Sequence, residues 1–87
     1  MKNPYIIAEI ASAHEGKPEL AINLFYHALR ARADAVKFQI FNRDLLLTIN
    51  NPFYDEFGEI ELSAKSWKNI LKKVSSEKID IIVFEFL

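Results

Sequence analysis

Three short apolar runs, residues 5–10, 34–41 and 79–87, alternate with two stretches whose apolar residues recur at helical spacing. That order constrains the fold more than any single motif in the sequence. Strand–helix–strand–helix–strand calls for a parallel sheet, with right-handed crossovers and helices packed outside it. The 87 residues are enough for one small domain and too few for two.

Each element carries its own signals. Lys17-Pro18-Glu19 predicts a helix start, because proline suits the first helical position and a carboxylate suits the positive end of the helix dipole. Leu20, Ala21, Leu24, Phe25, Ala28 and Leu29 then form one apolar face, with His27 as a partly covered helix residue. The helix is expected to stop near Ala31-Arg32-Ala33-Asp34. Glycine usually takes the left-handed position at such an end, and if Arg32 takes it instead the cost is about 1 kcal/mol. Residues 42–62 form a long connection, with Asn50-Asn51-Pro52 and Gly58 as turn signals and room for a short helix. Ser63 is a good N-cap for a second main helix, whose apolar face is Trp67, Ile70, Leu71 and Val74. Lys68, Lys72 and Lys73 read as its solvated face.

The candidate chemistry lies in the first two strands and the loop after the first. Glu9 interrupts an apolar run, and His14 and Glu15 follow in the loop. A carboxylate in a buried strand is costly unless it is paired, hydrogen-bonded or used. Ligands of α/β folds also bind at the carboxyl ends of strands, where these residues fall. The plain alternative is a solvent-facing glutamate on an edge strand, beside a loop histidine without a role. In the second strand Val36, Phe38 and Ile40 point one way, and Lys37 and Gln39 the other. Parallel strands are usually apolar on both faces. The polar pair therefore marks either a solvated face or a polar site.

Composition excludes several classes. A net charge of −1, with no basic block, argues against a nucleic-acid surface. The absence of cysteine excludes disulfides and thiolate metal sites, which fits a cytoplasmic setting. The apolar run after Lys2 ends at Glu9, too short for a signal peptide, and no window approaches the roughly 18 apolar residues of a membrane span. The expectation is a soluble, cytoplasmic chain without nucleic-acid or membrane partners. Residues 79–87 form an apolar strand with no polar tail, and such strands are seldom left unprotected. Residues 1–87 are therefore expected to be the front end of something larger.

Ile6-Ile7-Ala8-Glu9-Ile10, then a loop with His14 and Gly16, then Ala33-Asp34-Ala35-Val36-Lys37-Phe38-Gln39, then Glu61-Leu62-Ser63 and Trp67-Lys68 resemble the N-terminal part of the sialic acid (N-acetylneuraminate) synthases. The resemblance covers nearly the whole chain in the right order. It implies the first three strands and two helices of a truncated TIM barrel, the (β/α)8 fold. The activity it implies is carbon–carbon bond formation between phosphoenolpyruvate and an N-acetylated hexosamine, typically N-acetylmannosamine. In that reaction C3 of phosphoenolpyruvate attacks a metal-activated sugar aldehyde, water adds to the resulting cation, and phosphate leaves. It also implies a divalent metal, manganese or magnesium, with ligands from later strands, and a homodimer. By the same resemblance Glu9 is catalytic, Lys37 binds phosphoenolpyruvate, Gln39 lies near the sugar, and His14 belongs to the substrate-binding loop.

The chain departs from the family pattern in three places. Ala13-His14-Glu15-Gly16 stands where the family more often has Asn-His-Asn-Gly. Ala31-Arg32-Ala33-Asp34 stands where Ala-Gly-Ala-Asp is common, and Phe84-Glu85-Phe86-Leu87 replaces a polar turn. A whole barrel needs roughly 250 residues, so this chain by itself is expected to be inactive. The other readings are a fragment of a deoxy-sugar acid synthase, another barrel that condenses phosphoenolpyruvate, and a small α/β interaction module.

Overall fold

In a computed structural model, which describes residues 3–86, the chain forms a three-stranded parallel sheet in the order β1-β2-β3. The strands are β1 (Ile7–Ala11), β2 (Ala35–Phe41) and β3 (Asp80–Phe86). Helix α1 (Pro18–Arg30) links the first two strands. Two short helices, α2 (Arg43–Leu46) and α3 (Tyr54–Ile60), precede α4 (Ala64–Val74), which leads to β3. Among the described residues, no helix is long and apolar enough to cross a membrane.

The core lies between the sheet and the two long helices. Ile10, Val36 and Phe38 from the strands meet Ala21 and Phe25 of α1 and Trp67, Ile70 and Val74 of α4. The Phe38 ring bridges the layer, stacking on Phe25 and meeting Trp67 edge-on. Leu71, expected on the apolar face of α4, is only partly buried against this cluster. His27 is exposed rather than partly covered, and its Nδ1 lies 3.3 Å from the Arg30 guanidinium.

The helix ends follow the local sequence. Pro18 opens α1, and Ser63 caps α4 by accepting the Ser66 N–H at 3.1 Å. Past Arg30, the Ala33 N–H reaches back to the Ala28 carbonyl and the Arg32 N–H to the Leu29 carbonyl. This is the Schellman closure, which needs a left-handed residue, and Arg32 supplies it at φ 65°. Asp34 then ties the amino end of the sheet: its backbone N–H donates to the Ile6 carbonyl, and its carboxylate accepts the Ile6 N–H at 2.7 Å. Across the sheet, the Tyr5 hydroxyl donates to Asp80 at 2.5 Å.

Two expectations are corrected. The first strand is not buried from Tyr5 onward: it starts at Ile7 on a sheet edge, and Tyr5, Ile6 and Ile7 are exposed. Nothing among the described residues covers that side, so its apolar side chains meet water. Gly58 is not a turn residue either, since it lies inside α3. Its missing side chain makes room for Arg43, because a Cβ at Gly58 would sit 2.0 Å from the guanidinium. Arg43 also lies over the Tyr54 ring at 4.0 Å, and its backbone N–H donates to Glu61 at 2.5 Å. The Tyr54 hydroxyl donates to Asp44, closing α2 onto α3.

Candidate active site on the open sheet face

The alternation of β2 decides where the polar side chains go. Val36 and Phe38 turn to the helices and are fully buried, whereas Lys37 and Gln39 turn to the opposite face and are half-buried. Glu9 stands opposite Lys37 in the β1–β2 register, and Ile82 stands opposite it in β2–β3. The Lys37 ammonium lies 3.6 Å from a Glu9 carboxylate oxygen. It also lies 5.1 Å from the centroid of the Phe84 ring on β3. Of the two readings of Glu9, a buried carboxylate or a solvent-facing one on an edge strand, the structure gives the second: Glu9 is about half exposed, and β1 is an edge strand with an open face.

Immediately after Glu9 the pairing of β1 slips, and Ala11 rather than Ile10 pairs with Phe38. Bulges of this kind re-aim side chains and recur beside functional sites. Ala11 takes φ 49° at the slip, and Glu15 takes φ 54° in the loop that follows. Gly16 continues the left-handed path at φ 74°, and a Cβ there would lie 2.2 Å from the Glu59 carbonyl oxygen. The loop after β1 thus packs its backbone directly on the end of α3. Phe57 of α3 covers Phe41 at the end of β2, with ring centroids 5.8 Å apart. The α2–α3 excursion therefore borders the carboxyl ends of the first two strands.

His14 does not join Glu9, Lys37 and Gln39. It is completely buried, and it meets Trp67 of α4 edge-on. Its Nδ1 accepts the Gly16 N–H at 3.0 Å, which leaves the ring proton on Nε2, a buried nitrogen without a partner among the described residues. Burial pushes the His14 imidazole below its ordinary range, so it is neutral. Sequence reasoning missed Phe84 as a neighbour of Lys37. The signal was its place two residues beyond the position facing Lys37, a diagonal that long side chains span across a sheet.

The described residues hold no group of three histidine, aspartate or glutamate side chains placed to bind a metal ion. One histidine is buried with a ring nitrogen engaged, and the other sits on the flank of α1. These residues do not fit the metal that the resemblance implies, and no chemistry is assigned through it. A cavity of 210 Å³ beside α4, lined by residues including Ile40, Trp67 and Glu85, contains none of Glu9, His14, Lys37 and Gln39.

The fold matches a sialic acid (N-acetylneuraminic acid) synthetase from Leptospira borgpetersenii serovar Hardjo-bovis, solved in complex with citrate. The TM-score is 0.84 at 27% identity, over 98% of this chain and 30% of that one. The resemblance to the sialic acid synthases holds. In sequence, the chain is 31% identical over 78 residues to an uncharacterized protein of Methanocaldococcus jannaschii, which covers 90% of this chain and 23% of that protein. No protein-family model matches the chain. The chain thus spans less than a third of the length of either relative.

Proposed function

We propose that this chain is the first part of a (β/α)8 barrel that condenses phosphoenolpyruvate with an N-acetylated hexosamine of the N-acetylmannosamine type. The observation that carries the reading is the meeting of Glu9 and Lys37 on the open face of a parallel sheet that superposes on a sialic acid synthetase. In a closed barrel this face would line the interior. Lys37 would balance the phosphate or carboxylate charge of phosphoenolpyruvate, as a compact ammonium with three donors can. Glu9, beside it, would position a water or hydroxyl at the reacting carbonyl. Gln39, on the same face, would offer its amide to the sugar. His14 would serve the substrate loop from beneath, by fixing the Gly16 N–H. The metal ligands and the remaining walls of the site would come from segments outside this chain, and a homodimer in the cytoplasm is the expected assembly.

The test is a chimera in which residues 3–86 replace the matching segment of the Leptospira synthetase. The chimera should release phosphate from phosphoenolpyruvate in the presence of N-acetylmannosamine and manganese, and the 87-residue chain by itself should release none. Loss of a hydrogen-bonded charge at Lys37→Ala should raise the KM for phosphoenolpyruvate about 10- to 100-fold. Glu9→Gln keeps the shape and removes the charge, so it should act chiefly on kcat. A folded, active chimera indifferent to both substitutions would overturn the reading.

A further inference from the structure

Lys37 is held from two sides by groups of different kinds. Glu9 lies directly across the β1–β2 register, and its nearest oxygen is 3.6 Å from the ammonium. A charge-assisted hydrogen bond is shorter, about 2.7–2.9 Å, so this is an ion pair that has not closed. On the other side, Phe84 stands opposite Gln39, two residues further along β3 than the residue facing Lys37. The ammonium lies 5.1 Å from its ring centroid, within the about 6 Å reach of a cation–π attraction. The ring thus lies on the side of Lys37 away from Glu9, nearer the carboxyl ends of the strands. It also attracts the cation without tying up an N–H in a directional bond.

We propose that Phe84 is a positioning residue: its ring holds the Lys37 ammonium open toward a small phosphate- or carboxylate-bearing substrate, instead of letting it close onto Glu9. The inference rests on the reading of Lys37 as the phosphoenolpyruvate ligand. It goes further by naming the group that keeps that lysine available. An anion arriving at the carboxyl ends then meets a preplaced cation whose approach to Glu9, at 3.6 Å, is longer than a closed charge-assisted hydrogen bond. Preplacement of this kind raises affinity by removing the cost of ordering a long side chain on binding.

The experiment is competitive acetylation of the 87-residue chain at low micromolar concentration, with Lys37 followed by mass spectrometry and the exposed Lys68 of α4 as internal control. Phe84 is 46% exposed, so Phe84→Leu leaves the core intact, and Phe84→Tyr keeps the π face. Without ligand, Phe84→Leu should slow Lys37 acetylation about two- to fivefold as the ammonium closes onto the Glu9 carboxylate, the range expected for the cation–π contact that held it off. Phe84→Tyr should return the parental rate, and Lys68 should not respond. In the chimera, where the other walls of the site are supplied, phosphoenolpyruvate should protect Lys37, and half-protection of the Phe84→Leu chimera should need about two- to fivefold more of it. Parental rates and protection in Phe84→Leu would overturn the role of Phe84 and leave the phosphoenolpyruvate reading intact. Failure of phosphoenolpyruvate to protect Lys37 in the chimera, while Phe84→Leu still slows acetylation, would overturn the phosphoenolpyruvate reading and the substrate role built on it.

Discussion

Adjacent residues of β2 live in two different molecules, physically speaking. Val36 and Phe38 are fully buried between sheet and helices, in the cluster that also holds Phe25 and Trp67. Lys37 and Gln39, one residue along, stand half-buried on a face that also carries the exposed Glu9 and Phe84. The covered face is built from volume and fit, the open one from charge and reach. Parallel sheets are ordinarily covered on both faces. The open face of this sheet carries a carboxylate, an ammonium and an amide among apolar side chains that include Ile7, Ile82 and Phe84. The two-residue period of a single strand separates the packed side from the polar one.

The largest effect should come from breaking the covered face. Phe38 is fully buried and contacts both Phe25 and Trp67. Its truncation to alanine should cost about 3–5 kcal/mol, transfer and cavity together. That is comparable to the whole stability of a domain this small, at about 0.05–0.15 kcal/mol per residue. Lys37→Ala, its neighbour, should cost less than about 1 kcal/mol, since an exposed ion pair contributes little. Urea unfolding followed by circular dichroism would separate the two. Equal losses would mean that the faces are not divided as the burial pattern indicates.

Much of the covered side was legible in the sequence, because it is written in local rules. The helical spacing of Phe25 and Trp67, the cap at Ser63 and the proline at the start of α1 each specify structure within a few residues. Even the left-handed residue at Arg32 follows from where the helix must end. The open side depends on what is not nearby, and no local pattern reports that. Glu9 among apolar neighbours reads equally as a buried charge or as a solvent-facing residue of an edge strand, and only the place of β1 in the sheet decides between them. Gly58 reads as a turn because glycine usually breaks helices, yet it serves the packing of Arg43. His14 reads as a polar loop residue, and its burial under Trp67 comes from a helix about fifty residues away in the chain.

That histidine gives the second prediction, intermediate in size. His14 leaves the open face through the loop after β1 and ends in the covered layer, so it tests which side governs the loop. Burial lowers its folded-state affinity for protons below that of the unfolded chain, whose ordinary value is 6.5. Between the lowered value and 6.5 the unfolded state binds more protons, so stability should be full above pH 6.5 and fall as the pH drops below it. Protonation would also remove the Nδ1 acceptor that holds the Gly16 N–H. His14→Asn keeps an acceptor for that N–H but does not titrate. Its stability should be lower overall, through lost contact with Trp67, and flatter between pH 7.5 and 5.5. Parallel pH profiles for parent and variant would place His14 in a solvated setting and return it to the open side.

The smallest effect is also the most local. Arg32 closes α1 and feeds the chain into β2, so it sits in the frame and touches neither face of the site. At φ 65° its Cβ crowds the backbone, a cost of about 1 kcal/mol that glycine does not incur. The sialic acid synthase pattern commonly has glycine at this position, and the hydrogen bonds from Ala33 to Ala28 and from Arg32 to Leu29 explain why that residue fits. Those bonds are made by the backbone, so Arg32→Gly preserves them. Against the relief stands the greater freedom of glycine in the unfolded chain, worth about 0.5–1 kcal/mol. The net gain should be at most about 0.5 kcal/mol. It should appear as a higher urea midpoint with an unchanged slope, since the surface exposed on unfolding is the same. In the chimera the same substitution should leave the phosphoenolpyruvate KM where it was. A gain in stability with unaltered kinetics would show that strain in the frame and chemistry on the open face are independent, whereas a shift in KM would show that the turn before β2 sets the position of Lys37.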